Sequence, residues 1–168
     1  MRTWFVTGAS RGFGALIVKH ALANGDTVVA TARNPEVITR QFGPRTDLLA
    51  QALDVTDEAQ AHRAAKEATT AFGRIDVLVN NAGYGLLGAV EEATAEEIEA
   101  VYRTNVFGLL PVTRAVLPQG SSRGSATDGS HPPNRSLCSQ RRIEPNNDLC
   151  GRLSPFIVVF SLGWSWFA

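Results

Sequence analysis

No tyrosine or lysine follows Tyr102, and the only others are Tyr84, Lys19 and Lys66. The last 66 residues therefore hold neither a phenol nor an ammonium side chain. Cysteine is as scarce: Cys138 and Cys150 lie twelve residues apart, and His20, His62 and His131 are scattered, which predicts neither a metal site nor a structural disulfide. The formal net charge is zero and the pI about 6.8, so no electrostatic footprint points to nucleic acid or anionic lipid. No apolar run approaches the roughly 20 residues that cross a bilayer, and Pro155 interrupts the longest candidate near the end. The opening residues lack a basic run with an apolar segment behind it, which predicts a cytoplasmic protein.

Serine is missing too, but only from the front. Residues 1–118 hold one serine, Ser10, and twenty alanines; residues 119–168 hold nine serines, two alanines, four of the eight prolines and both cysteines. The chain therefore predicts one α/β domain over 1–118 and an aberrant, largely disordered tail over 119–168.

What is present begins with Thr7-Gly8-Ala9-Ser10-Arg11-Gly12-Phe13-Gly14. Trp4-Phe5-Val6 before it reads as a buried strand, and Phe13, Leu16, Ile17 and Ala21 recur at helical spacing after it. Glycines at a strand-to-helix turn let the backbone approach a pyrophosphate, with the helix's free N–H groups facing the anion. Three glycines alone fit an ordinary turn as well. A helix to about Asn24 with Gly25 as its cap leads into the strand Thr27-Val28-Val29-Ala30-Thr31. Arg33 then stands where a protein selective for NAD places an acidic side chain, and Arg33 with Arg11 suits a 2′-phosphate, so NADP is favoured over NAD. Two solvated surface arginines are the alternative.

A third strand over 48–53 ends at Asp54-Val55, and Ala61, Ala64, Ala65, Ala68 and Phe72 trace one face of a helix stopping at Gly73. The apolar strand Val77-Leu78-Val79 runs into Asn80-Asn81-Ala82-Gly83, at the end of a sheet where α/β folds receive ligands. Thr94 and Glu97 predict a capping box opening a long helix, with Ile98, Val101, Tyr102, Val106, Leu109 and Leu110 as its buried face and Asn105 among them. A buried amide needs partners, supplied by a core network or by a function.

These motifs in this order resemble the short-chain dehydrogenase/reductase family over residues 1 to about 118. The resemblance implies a Rossmann-type doubly wound parallel sheet, cut off after the fourth strand and the long helix behind it. It implies that Gly8, Ser10, Arg11, Gly12, Phe13 and Gly14 hold the pyrophosphate, that Asp54 and Val55 hold the adenine, that Asn81, Ala82 and Gly83 line the adenosine ribose, and that Asn105 belongs to the catalytic proton relay. It implies an NADP-dependent oxidoreductase exchanging hydride with a carbonyl or alcohol, and a homo-oligomer that the truncation argues against. The family's serine and its Tyr-x-x-x-Lys cannot be assembled here, so the chain is expected to be inactive, and its substrate is unreadable. A non-catalytic NADP-binding or interaction protein, or a frameshift product, is the alternative. Ser154-Pro155-Phe156-Ile157-Val158-Val159-Phe160-Ser161-Leu162 is similar to the family's lysine segment and the apolar helix behind it, with Pro155 in the lysine's place and Gly151 in the tyrosine's; a degraded remnant and chance both account for it. Phe156 to Phe160 also has the composition of an aggregation-prone strand.

Overall fold

The computed structural model describes residues 1–120 and 157–160. Five parallel strands form one sheet in the order β3-β2-β1-β4-β5: β1 Thr3–Val6, β2 Thr27–Ala32, β3 Leu48–Ala52, β4 Val77–Asn80 and β5 Ile157–Phe160. Parallel strands need crossover helices, so both faces of the sheet are covered and its central strands are buried and mostly apolar, with Thr3, Thr27, Thr31 and Asn80 as buried polar exceptions. Alternate residues feed two cores. Val6, Val28, Ala30, Val77 and Val79 pack with Val18, Ala21 and Leu22 of helix α1 (Gly12–Ala23) and Ile38 of α2 (Glu36–Phe42). Phe5, Val29 and Leu78 pack on the other face with Ala61, Ala64, Ala65 and Ala68 of α3 (Glu58–Phe72) and Val112, Ala115 and Val116 of α5 (Leu109–Gly120). The alanine stripe of α3 and the glycine stops at Gly25 (φ 74°) and Gly73 (φ 81°) stand as the sequence predicts.

The doubly wound sheet is the expected one, with four differences. On α1 the buried face is Gly14, Ala15, Val18, Ala21 and Leu22, while Phe13 and Leu16 are about 60% exposed. Small residues face the sheet because α1 must come close to it, and helical spacing alone does not say which apolar stripe is inward. Helix α2 follows Pro35 and buries only Ile38, too little periodicity to read.

The long helix is broken into α4 (Ala95–Tyr102), a π turn over Arg103–Phe107, and α5. The capping box is present: the Glu97 N–H donates to Thr94 Oγ1 (3.2 Å) and the Thr94 N–H to Glu97 Oε2 (2.9 Å). The expected buried face is not. No residue of α4 or of the π turn is buried, and Ile98, Tyr102, Val106 and Leu110 are exposed. Burial resumes at Gly108, past the π turn, and the core contact starts one turn later, at Val112.

The fourth difference is at Ile157–Phe160, which is a strand and not the apolar helix its similarity suggested. Its β-branched run pairs in parallel with β4, Val77 against Ile157 through Asn80 against Phe160. The expectation of disorder over 120–147 lies outside the described residues, apart from Gly120.

Candidate functional site

The order β3-β2-β1-β4-β5 reverses direction between β1 and β4, the position at which an open α/β sheet forms a crevice at its carboxyl ends. One hydroxyl ties the two strands together there. Thr7 Oγ1 donates to the Val79 carbonyl (3.3 Å) and accepts from the N–H groups of Asn81 (2.9 Å) and Ala82 (3.0 Å). The Asn81 side-chain amide donates back to the carbonyls of Thr7 and Gly8, each at 3.0 Å. The amide nitrogen is thus committed to the turn.

Gly8 has φ 66°, and a Cβ on it would stand 2.8 Å from Ala82 Cα. A Cβ on Gly14 would strike the Gly8 carbonyl oxygen and reach 2.6 Å from Asn81 Nδ2. Gly12 has φ 56° with open space around it. Gly8 and Gly14 thus serve close approach, and Gly8 and Gly12 supply the left-handed conformation of the turn. No side chain caps α1, whose N-cap is Arg11, so its first turn faces the crevice with backbone N–H groups and the positive end of the helix dipole. Ser10 is half-buried in this turn, and Arg11, Phe13 and Arg33 are exposed. Neither guanidinium makes an ion pair among the described residues.

After β3 the chain turns at 54–57 into α3. Asp54 Oδ1 accepts from Thr56 N–H (2.9 Å) and Oγ1 (2.7 Å), which leaves Asp54 Oδ2 without a protein partner among the described residues. Val55 is buried against the α3–α5 core. Asp57 caps α3 by accepting the Gln60 N–H at 3.0 Å. That bond first, and the Gln60 side chain second, hold the Asp57 carboxyl below its usual range.

Asn105 sits in the π turn and is half-buried, not buried. Its Oδ1 accepts the Tyr84 N–H (3.1 Å) and its Nδ2 donates to the Tyr84 carbonyl (2.8 Å), so both ends clamp the loop that continues from Ala82 and Gly83. The Gly108 N–H closes the π turn on the Arg103 carbonyl at 2.8 Å. A Cβ on Gly108 would lie 2.7 Å from the Thr104 oxygen and 2.8 Å from Val55 Cγ2, so the break in the helix rests directly on the 54–57 loop. Asn80 reaches the same helix through Thr113 Oγ1 (3.2 Å).

The cofactor residues expected from the sequence therefore follow the carboxyl ends of β1, β2, β3 and β4, with Asn105 at their border. Thr7, Gln60 and Gly108 were not singled out. Glutamine three residues after Asp57, and a lone glycine inside an apolar helical pattern, were the available signals. A second polar cluster lies at the opposite end, where Asp26 accepts from the Arg2 N–H (2.8 Å), Trp4 Nε1 (2.8 Å) and Arg2 Nη2 (3.2 Å). Burial works to raise the Asp26 pKa, and these donors together carry it below the ordinary carboxylate value. Among the described residues no cluster of His, Cys, Asp or Glu could hold a metal.

A cradle that only glycine fits, an uncapped helix end and a carboxylate with a free oxygen suit a dinucleotide. Known proteins of similar sequence and fold agree. A family model for short chain dehydrogenases matches residues 2–127. Oxidoreductase BOA17 of Botryotinia fuckeliana is 46% identical over 120 residues, 70% of this chain and 43% of its own length. A short-chain dehydrogenase from Streptomyces avermitilis superposes with a TM-score of 0.64 at 43% identity, covering 71% of this chain and 45% of that one. A 3-ketoacyl-(acyl-carrier-protein) reductase from Brucella melitensis, solved with NADH, does so with a TM-score of 0.67 at 33% identity, covering 70% and 50%. The chain spans about half the length of the relatives it matches, or less.

Proposed function

The chain belongs to the short-chain dehydrogenase family, and from that premise we propose that residues 1–118 are its NADP-binding Rossmann domain and that this 168-residue chain binds NADP without turning over substrate. The observation that carries the binding half is the cradle, in which added methyl groups at Gly8 and Gly14 would meet the backbone of the opposing strand end or of the turn itself. Gly8, Ser10, Arg11, Gly12, Phe13 and Gly14 would surround the pyrophosphate, Asp54 and Val55 the adenine, and Asn81, Ala82 and Gly83 the ribose. Exposed Arg11 and Arg33 supply the preference for a 2′-phosphate over a 2′-hydroxyl, since a guanidinium meets a phosphate both in charge and in hydrogen-bond geometry.

A bound nicotinamide supplies hydride exchange with a carbonyl or alcohol carbon. The chain must supply the proton and the platform. Asn105 holds the loop at Tyr84, yet the sequence offers no later tyrosine or lysine to move a proton, and a missing acid/base costs about 10²- to 10⁴-fold in rate. The test is incubation of the purified chain with NADPH and a broad carbonyl panel: no oxidation of NADPH is expected, and measurable turnover would overturn the inactive half of the proposal. A cytoplasmic location belongs to the same proposal, with fractionation of a tagged chain as its check.

The placement of β5 favours a second reading of the tail. A frameshifted segment has no reason to pair residue for residue with β4, whereas a domain interrupted over 121–156 would resume there. Sequencing the transcript separates the two: an insertion encoding 121–156 supports interruption, and a single-base shift near codon 119 supports a changed frame.

A further inference from the structure

We propose that Gln60 is a positioning residue of the nucleotide site, its side chain fixing the 54–57 loop in the shape that presents Asp54 and Val55 to an adenine. The inference rests on the assignment of those two residues to the adenine.

The loop leaves the sheet abruptly. Its last ladder bond is from the Leu53 N–H to the Ala32 carbonyl at 3.0 Å, so the Asp54 N–H points past the end of β2 and needs another acceptor. Gln60 Oε1 provides it at 2.9 Å. The other end of the same amide, Nε2, donates to Asp57 Oδ2 at 2.8 Å, and the Gln60 N–H donates to Asp57 Oδ1 at 3.0 Å. One planar group on the first turn of α3 therefore ties the start of the loop to its end. With Thr56 occupying Asp54 Oδ1, the turn's own demands are met and Asp54 Oδ2 is left over for a ligand. The low pKa of Asp57 agrees with a carboxylate that stays ionised as the fixed end of this tie.

Residue type matters here. The position needs an acceptor and a donor on one rigid amide: glutamate would set a carboxylate against Asp57, and alanine would leave the Asp54 N–H unanswered. Helix capping is a separate matter, because the cap is the Asp57 side chain on the Gln60 backbone, which Gln60→Ala retains.

The experiment uses the full chain, titrated with NADPH and with adenosine 2′,5′-bisphosphate, a probe carrying only the adenine half. Amide exchange at Asp54 is followed without ligand. Losing one hydrogen bond of ordinary strength predicts that Gln60→Ala weakens both ligands by about five- to tenfold and speeds Asp54 exchange by a similar factor, with a melting curve close to wild type. Equal affinity in wild type and Gln60→Ala would overturn the role of Gln60, whether or not exchange changes. A wild-type chain that binds neither ligand would overturn the adenine assignment itself, an outcome distinguishable from the first because no variant is needed to see it.

Discussion

Replacing Gly14 by alanine adds a single methyl group, and its consequence can be worked from distances. The new carbon would collide with the Gly8 carbonyl oxygen and stand 2.6 Å from Asn81 Nδ2, so the turn, the amide or the helix must move. Moving the amide sacrifices its bonds to Thr7 and Gly8, both 3.0 Å, which at the usual net value are together worth roughly 1–3 kcal/mol. For a domain of this size each kcal/mol lowers Tm by about 4 °C, so a fall of roughly 4–12 °C is expected. Moving the helix displaces the N–H groups meant for the pyrophosphate, and NADPH affinity should fall by at least about tenfold. Gly12→Ala is the internal comparison: with open space around it, only the left-handed φ of 56° is penalised, about 1–2 kcal/mol, without a collision. Thermal melts and NADPH titrations of the three proteins provide the assay. A Gly14→Ala chain that melts with wild type and binds NADPH equally well would refute the close-approach argument.

Gly108→Ala should loosen NADPH binding by pressing on Val55 Cγ2, and Val55→Ala in the same chain should recover part of the loss; titrations showing no recovery would place the strain at the Thr104 carbonyl alone. Asp26→Ala should destabilise by about 1.5–3 kcal/mol at pH 7, since three donors lose a charged acceptor. Because the folded pKa of Asp26 is depressed, its contribution is fully present above the unfolded value near 3.8 and disappears as pH falls through the folded one. Denaturant curves of wild type and Asp26→Ala should therefore converge below about pH 4, and a constant gap down to pH 2 would contradict the assignment.

Much of this was legible in the residues. Apolar runs such as Val77-Leu78-Val79 stand apart from alanine stripes such as Ala61, Ala64, Ala65 and Ala68, so strands and helices separate by period alone. Three glycines alone fit an ordinary turn as well, and the cradle was legible only through the motifs that follow it in order, Asp54, Asn81-Ala82-Gly83 and Asn105. What stayed hidden depended on packing partners far along the chain. The inward stripe of α1 was missed because Phe13 and Leu16 are more apolar than the Gly14 and Ala15 that tight packing selects. The π turn has no propensity signature; it follows from Asn105 gripping the Tyr84 backbone, 21 residues away, and Gly108 lying on Val55. For β5, the composition of a strand was plain, but its partner was not, since register with β4 is set across more than 70 residues of sequence.

Whether the cradle and its two arginines form an NADP site is decided by equilibrium titration of the purified 168-residue chain with NADPH and NADH, alongside Arg33→Asp. Saturable binding is expected, tighter for NADPH in the wild type and reversed toward NADH in the variant, because a carboxylate at residue 33 repels the 2′-phosphate and accepts the ribose hydroxyl. Wild type and variant with the same preference, or no saturable binding by the wild type, would contradict it.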